Sequence, residues 1–216
     1  MTKALETTQV DMVRAWVDGW TVSRGTSAPV PEPWGLRVDV GLPGHAVRHV
    51  VPAPTPALVQ QLTSAITVPG TWLKLCAPAE LIAPYLPPRW TIDSPEYLMT
   101  GALAAEETAA PDGYTLAVTT RAGVTVARLL TDAGEIAARG QIAVVGRAAV
   151  VDQVETADAH RRRGLGRVVM KTLAATAVSR GAVMGVLVAT PVGRSLYESL
   201  GWQVRSPMTA AVLTAP

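Results

Sequence analysis

The run Arg161-Arg162-Arg163-Gly164-Leu165-Gly166-Arg167 gathers four guanidinium groups around two glycines. That combination suits an anion. A short apolar stretch, Ala148 to Val151 and on through Val154, precedes it and reads as a buried strand. Ala157 to His160 turns the chain. Beyond the loop, Leu165, Val168, Val169 and Leu173 recur at helical spacing on one face. A strand feeding a basic glycine loop at a helix N-terminus is a phosphate-binding geometry. The first-turn N–H groups lack partners within the helix, and the macrodipole adds roughly half a positive charge there. Gly164 and Gly166 take Cβ atoms out of a ligand's path, and the arginines attract a polyanion. The nucleotide motifs fit poorly. Gly166 is followed by Arg167-Val168 rather than Lys-Ser/Thr, and Val169 stands where a dinucleotide fold needs a third small residue. Taken alone, the loop is also compatible with a solvated turn or a nucleic-acid patch.

Few other residues offer chemistry. Asp152 and Glu155 are the carboxylates nearest the loop. Three positions apart on a strand, they are expected to face opposite ways. His160 lies in the turn and reads as exposed rather than catalytic. His45 and His49 have no Cys, Asp or Glu at ligand spacing, so no metal is expected. Glu96 and Tyr97, near a strand end, are candidates for the wall of an acceptor pocket. The tryptophans at 16, 20, 34, 72 and 90 read as packing residues.

The elements that must position these groups follow from pattern. The 216 residues, 49% hydrophobic, suffice for one large or two small domains with a buried core. Net charge is only +2, whereas a general nucleic-acid binder carries a broader surplus. Cys76 is the one cysteine, which suits a reducing interior. The first residues lack a signal-peptide apolar core, and no uninterrupted apolar run approaches the roughly 18 residues of a membrane span. A cytoplasmic protein without nucleic-acid or membrane partners is expected.

Residues 4–20 form an expected amphipathic helix with Leu5, Met12, Val13, Trp16 and Val17 on one side, and 23–33 a Gly/Pro/Ser loop. Residues 34–100 then read β-β-α-β-α-β. The segment 101–113, without a periodic apolar face, is the expected linker between a divergent N-terminal α/β region (1–100) and a second domain (114–216). In the latter, strands at 114–120, 124–131, 136–145 and 147–156 form a meander. A helix over about 163–180, a strand at 184–189 and a helix at 191–200 follow. Two strands, 202–204 and 209–213, close the chain.

Two segments resemble motifs of the GNAT N-acetyltransferase superfamily. Arg161, Gly164 and Gly166 fill, in register, the Arg/Gln-x-x-Gly-x-Gly/Ala loop of motif A. Thr190 to Trp202 resembles motif B, with Tyr197, Leu200, Gly201 and Trp202 matching; Thr190 and Gly193 replace the usual Asn and Ala. The resemblance covers about residues 114–213. It implies an α+β GNAT fold, a mixed, mainly antiparallel sheet flanked by helices, preceded here by a divergent half or a degenerate GNAT repeat. It further implies an acyl-CoA-dependent N-acyltransferase, with acetyl-CoA as co-substrate and the amine of a small molecule or amino acid as acceptor. The alternative is a non-catalytic acyl-CoA sensor. On this resemblance the loop from Arg162 to Gly166 binds the pyrophosphate, flanked by Arg161 and Arg167, and the backbone of Val154 and Thr156 pairs with the pantetheine arm. Thr190 and Arg194 belong to the same cofactor side. Tyr197 is the implied general acid, the Val154 N–H polarises the thioester, and Glu155 is the chosen base. Homodimerisation through sheet edges or the N-terminal half stays open.

Overall fold

The computed structural model describes residues 8–215. Helix α1 (Gln9–Arg24) starts at a capping box: Thr8 accepts from the Asp11 N–H while the Asp11 carboxylate accepts from the Thr8 N–H. It ends at Gly25 in the left-handed conformation. The expected helix therefore lies a few residues further on, and Leu5 falls outside the described residues. Val13, Trp16, Val17 and Trp20 make its buried stripe, each apolar side chain contributing about 1.5–3 kcal/mol.

Strands β1 (Val30–Glu32), β2 (Gly35–Leu42) and β3 (His45–Val51) follow, then α2 (Pro56–Ala65), β4 (Thr71–Leu75) and the single-turn α3 (Ala79–Ile82). β5 (Trp90–Ile92) and β6 (Glu96–Ala102) end this half. β1 occupies the stretch read as a loop. Its proline is tolerated because β1 lies at the sheet edge and pairs only with β2.

After residues 103–113 come β7 (Tyr114–Arg121), β8 (Val124–Thr131), β9 (Ile136–Val145) and β10 (Ala148–Thr156), the expected antiparallel meander. Helix α4 (Leu165–Ser179), β11 (Met184–Ala189), α5 (Pro191–Glu198) and β12 (Gln203–Leu213) complete the chain. β12 is one long strand rather than the expected two. It pairs with β6 through Met208, across a register shift between Val204 and Ser206, and with β4 from Thr209 on.

All strands join one sheet in the order β1-β2-β3-β4-β12-β6-β11-β10-β9-β8-β7, with β5 also paired on β12. Two neighbouring pairs are parallel, β3/β4 and β10/β11; the others are antiparallel. Each half sends its last strand into the other: β6 pairs with β11, and β12 with β4. The halves are therefore interlocked. α1 packs on one face, where Trp16 and Val17 share a core with Val38 and Val50 of the first half and Val150 and Val186 of the second. On the opposite face α4 and α5 cover the second half, and α2 covers the first. Among the described residues no helix is long and apolar enough to cross a membrane.

Candidate active site

The site begins where two parallel strands part. β10 pairs with β11 from Ala148/Met184 to Val150/Val186. Beyond that, β10 continues to Thr156 and β11 to Ala189 without further pairing to one another. A β-bulge lies at the parting. Asp152 stands opposite Gln141 and Glu155 opposite Arg139, so β10 carries one extra residue there. Gln153 takes up the slack at φ +52°, a conformation costing a non-glycine residue about 1–2 kcal/mol. The Asp152 carboxylate accepts from the Gln153 N–H at 2.9 Å, and Arg139 donates to the Gln153 side chain at 2.8 Å.

The extra residue changes the strand's parity. Val151 and Val154 both pack into the core beneath α4, and Thr156 lies beside Gly166. Asp152 and Glu155 therefore share the opposite face, instead of the opposed faces that simple alternation predicts. The Ala157 N–H donates to Ala137 on β9. Counting back by alternation, the N–H and C=O groups of Val154 and Thr156 point into the gap toward β11. Thr156 O accepts from Arg161 Nε at 3.4 Å.

The loop closes the gap at one end. Arg162 (φ +63°) and Gly164 (φ +78°) adopt left-handed conformations, and Gly164 is the N-cap of α4 with no side chain capping the helix. Among the described residues, none of the N–H groups from Arg162 to Gly166 has a hydrogen-bond acceptor in the protein. A Cβ at Gly164 would meet open space. These consecutive free donors at a positive helix end form an anion nest. Leu165 is buried and anchors the helix start, while the four arginines are exposed. Arg161 pairs with Asp158 at 2.6 Å, Arg163 donates to the Tyr114 hydroxyl at 3.0 Å, and Arg167 reaches Ser199 Oγ at 3.3 Å. Tyr114 in turn contacts His160 Nδ1 at 2.9 Å, so His160 braces the loop.

Across the gap, Tyr197 on α5 is buried, with 8% exposure. Burial first, and then the negative charge of Asp152, raises its phenol to about 12. Thr190 caps α5, accepting from the Gly193 N–H at 3.2 Å. Among the described residues its hydroxyl proton has no acceptor. Arg194 pairs with Glu198 at 2.7 Å and lies 4.7 Å over the Tyr97 ring. Trp202 is seated by glycines in adjacent strands: a Cβ on Gly101 of β6 or Gly185 of β11 would come within 2.7 or 2.4 Å of its ring. The aromatic that ends the second motif thus packs against a strand of the first half.

On the α1 face of the same gap lies a cavity of about 510 Å³. Asp152 and Gln153 of the bulge reach it from one half; Arg48, Lys74 and Glu96 reach it from the other. Trp16, Trp20 and Arg24 of α1 form a wall. Asp152 is held by Arg24, at 2.5 and 2.9 Å, and by Ser23 at 3.1 Å. Lys74 Nζ lies 2.5 Å from Glu96, and burial pushes its ammonium below the ordinary range. Glu155 is exposed and stands outside the cavity lining. Cys76 is buried, and its thiol rises to about 12. Sequence reasoning passed over Arg24, Arg48 and Lys74. The readable signal was a cation inside apolar strand runs, as in Val47-Arg48-His49-Val50 and Leu73-Lys74-Leu75. Among the described residues no cluster of His, Cys, Asp and Glu is arranged to hold a metal.

Residues 147–210, from the start of β10 into β12, match the family model described as FR47-like protein. The whole architecture is similar to a GCN5-related N-acetyltransferase from Kribbella flavida, with a TM-score of 0.64 at 19% identity over 98% of each chain. The fold is that of the GNAT superfamily. Further structures with this GNAT architecture include a GNAT-family protein from Novosphingobium aromaticivorans and a GCN5-related N-acetyltransferase-like protein from Streptococcus suis. The first has a TM-score of 0.59 at 19% identity, over 95% of this chain and 99% of that one. The second has 0.56 at 13%, over 94% and 98%. A comparison with curated proteins returned no match. At these identities the likeness concerns the fold.

Proposed function

We propose that the protein is an acyl-CoA-dependent N-acyltransferase that transfers an acetyl group to the amine of a small molecule. The observation that carries this reading is the bulged splay between β10 and β11, ending at the uncapped N-terminus of α4. The free N–H groups from Arg162 to Gly166 suit a pyrophosphate, and Arg161, Arg163 and Arg167 add attraction around it. Inward-facing backbone groups on Val154 and Thr156 suit an extended amide-bearing arm lying in the gap as an added strand.

In the reaction the amine nitrogen bonds to the thioester carbonyl carbon, and the C–S bond breaks as the tetrahedral intermediate collapses. The Val154 N–H stabilises the developing oxyanion. Tyr197 protonates the departing thiolate, and its elevated pKa keeps that proton in place across the neutral range. The ammonium proton must leave before attack. Asp152, which lines the acceptor-side cavity, takes it directly or through water; Glu155, on the same face, lies further out. The two substrates thus approach from opposite faces of the sheet and meet at the splay.

The test is thiol release from acetyl-CoA with a panel of amines, in wild type and Tyr197→Phe. Amine-dependent release by wild type that falls about 100-fold in the variant supports the reading. Tight acetyl-CoA binding with no release for any amine would replace it with a sensor that binds acyl-CoA without turnover.

A further inference from the structure

Arg48 is the one cation of the acceptor-side cavity without a carboxylate of its own. It sits on β3, in the half that carries neither motif, and its guanidinium lies 4.2 Å over the ring of Trp20. Its Nε is buried without a hydrogen-bond partner, and among the described residues it makes no ion pair. Arg24 is paired with Asp152, and Lys74 with Glu96. Burial and Arg48 itself hold the His45 imidazole below its ordinary range, so His45 adds no charge at neutral pH. Three cations face two carboxylates, and one positive charge is left over.

A half-buried guanidinium whose Nε is buried is costly to leave without an acceptor. Here desolvation lowers Arg48 to about 10, against the partial support of Glu96. Stacking on Trp20 fixes the plane of the fork without satisfying its donors. What satisfies a planar fork is a carboxylate, which accepts two parallel hydrogen bonds. The single excess charge fits a monoanion, whereas a phosphate dianion would face repulsion from Glu96 with no second free cation to offset it. The same cavity reaches Asp152 and Gln153 at the bulge, where the reacting amine has to lie.

We infer that the acceptor is an amino acid, its carboxylate held by Arg48 and its amine presented at the β10 bulge. This deepens the proposed function and rests on it for the reaction, but recognition of the carboxylate is testable without turnover. The first half of the chain then supplies the specificity element for chemistry carried out by the second.

The test is calorimetric titration of the common L-amino acids and their primary amides into wild type, Arg48→Gln and Arg48→Lys. Amide and acid differ little in shape and only in the charge that Arg48 would read. For the best-bound amino acid, wild type should prefer the acid over its amide by about 30-fold, the range of a charge-assisted bidentate contact. Arg48→Gln should reduce that preference to a few-fold by weakening the acid alone, and Arg48→Lys should restore part of it. Circular dichroism melts of both variants identify a folding defect, and Arg48→Lys carries the comparison if Arg48→Gln does not fold. Equal binding of acid and amide by wild type, or equal weakening of both in Arg48→Gln, would overturn the inference. Acetyl transfer to simple amines, without any preference for the acid, would overturn it while leaving the proposed function standing. Arg48-dependent binding of the acid with no transfer would keep the carboxylate site and remove the transferase reading.

Discussion

The chain builds a parallel strand–loop–helix–strand unit twice, and the two copies end differently. In the first, β3 leads through Pro52-Ala53-Pro54-Thr55 into α2 and on to β4. In the second, β10 leads through the arginine–glycine loop into α4 and on to β11. The N-terminus of α2 is closed: Thr55 Oγ1 accepts from the Leu58 N–H, Pro56 has no N–H to offer, and Gln9 binds the Pro52 carbonyl. Its strands stay paired from Val47/Thr71 to Val51/Leu75, leaving no gap. The N-terminus of α4 is open, and its strands part after Val150/Val186. One unit closes its helix end and the other leaves it open, although both have the same topology. Cap chemistry and strand register separate them: a capped helix has spent the N–H groups that an anion would use.

Breaking the open end should have the largest effect. Gly164→Glu places a carboxylate on the nest and a side chain at φ +78°, and should weaken acetyl-CoA by at least ~1000-fold in calorimetry. Thr55→Ala, at the equivalent point of the first unit, should leave acetyl-CoA affinity unchanged. If it weakened binding comparably, the ligand would belong to the other helix and the contrast would fail.

Tyr197→Phe should lower kcat by about 100-fold with acetyl-CoA affinity retained. Because the phenol titrates at about 12 when folded, wild-type kcat should show no descending limb from this group below roughly pH 11. The sign for stability follows from the same shift. A folded pKa above the unfolded value near 10 means that Tyr197's contribution is complete below pH 10 and lost as pH rises toward 12. A descending limb near pH 9 that disappears in Tyr197→Phe would contradict this.

The next effect is at the junction of the halves. Asp152→Asn leaves Arg24 without its partner, and should cost about 1–2 kcal/mol in urea unfolding while raising KM for the acceptor. An unchanged KM would take Asp152 out of the acceptor site. Smallest of all, Thr55→Ala should cost about 1 kcal/mol of stability by removing an N-cap. No loss would mean that the capped N-terminus of α2 contributes nothing and is no counterpart to the open one.

The loop, its glycines and the buried Leu165-Val169-Leu173 stripe were legible because they are local. Spacing, φ preference and the lack of a capping side chain are all written within about 20 consecutive residues. The strands of the meander, β7 to β10, were legible for the same reason, short turns separating them. Less was legible at the sheet edge and where the halves join. β1 lies in a proline-rich stretch that only edge pairing with β2 makes into a strand. β12 reads as two pieces because its two ends serve different halves of the sheet.

What the sequence determined by itself, then, is a basic glycine loop between a strand and a helix, with a tyrosine about thirty residues further along the chain. Tertiary structure decided the rest. The bulge at Gln153 exists only through the mismatch of β10 against β9, and it turns Asp152 and Glu155 to one face. Arg48, Lys74 and Glu96 share a cavity with Asp152, more than fifty positions away, because the halves exchange their last strands. Pairing across a sheet is selected by hydrogen bonds and burial over the whole chain, so no window of sequence contains it.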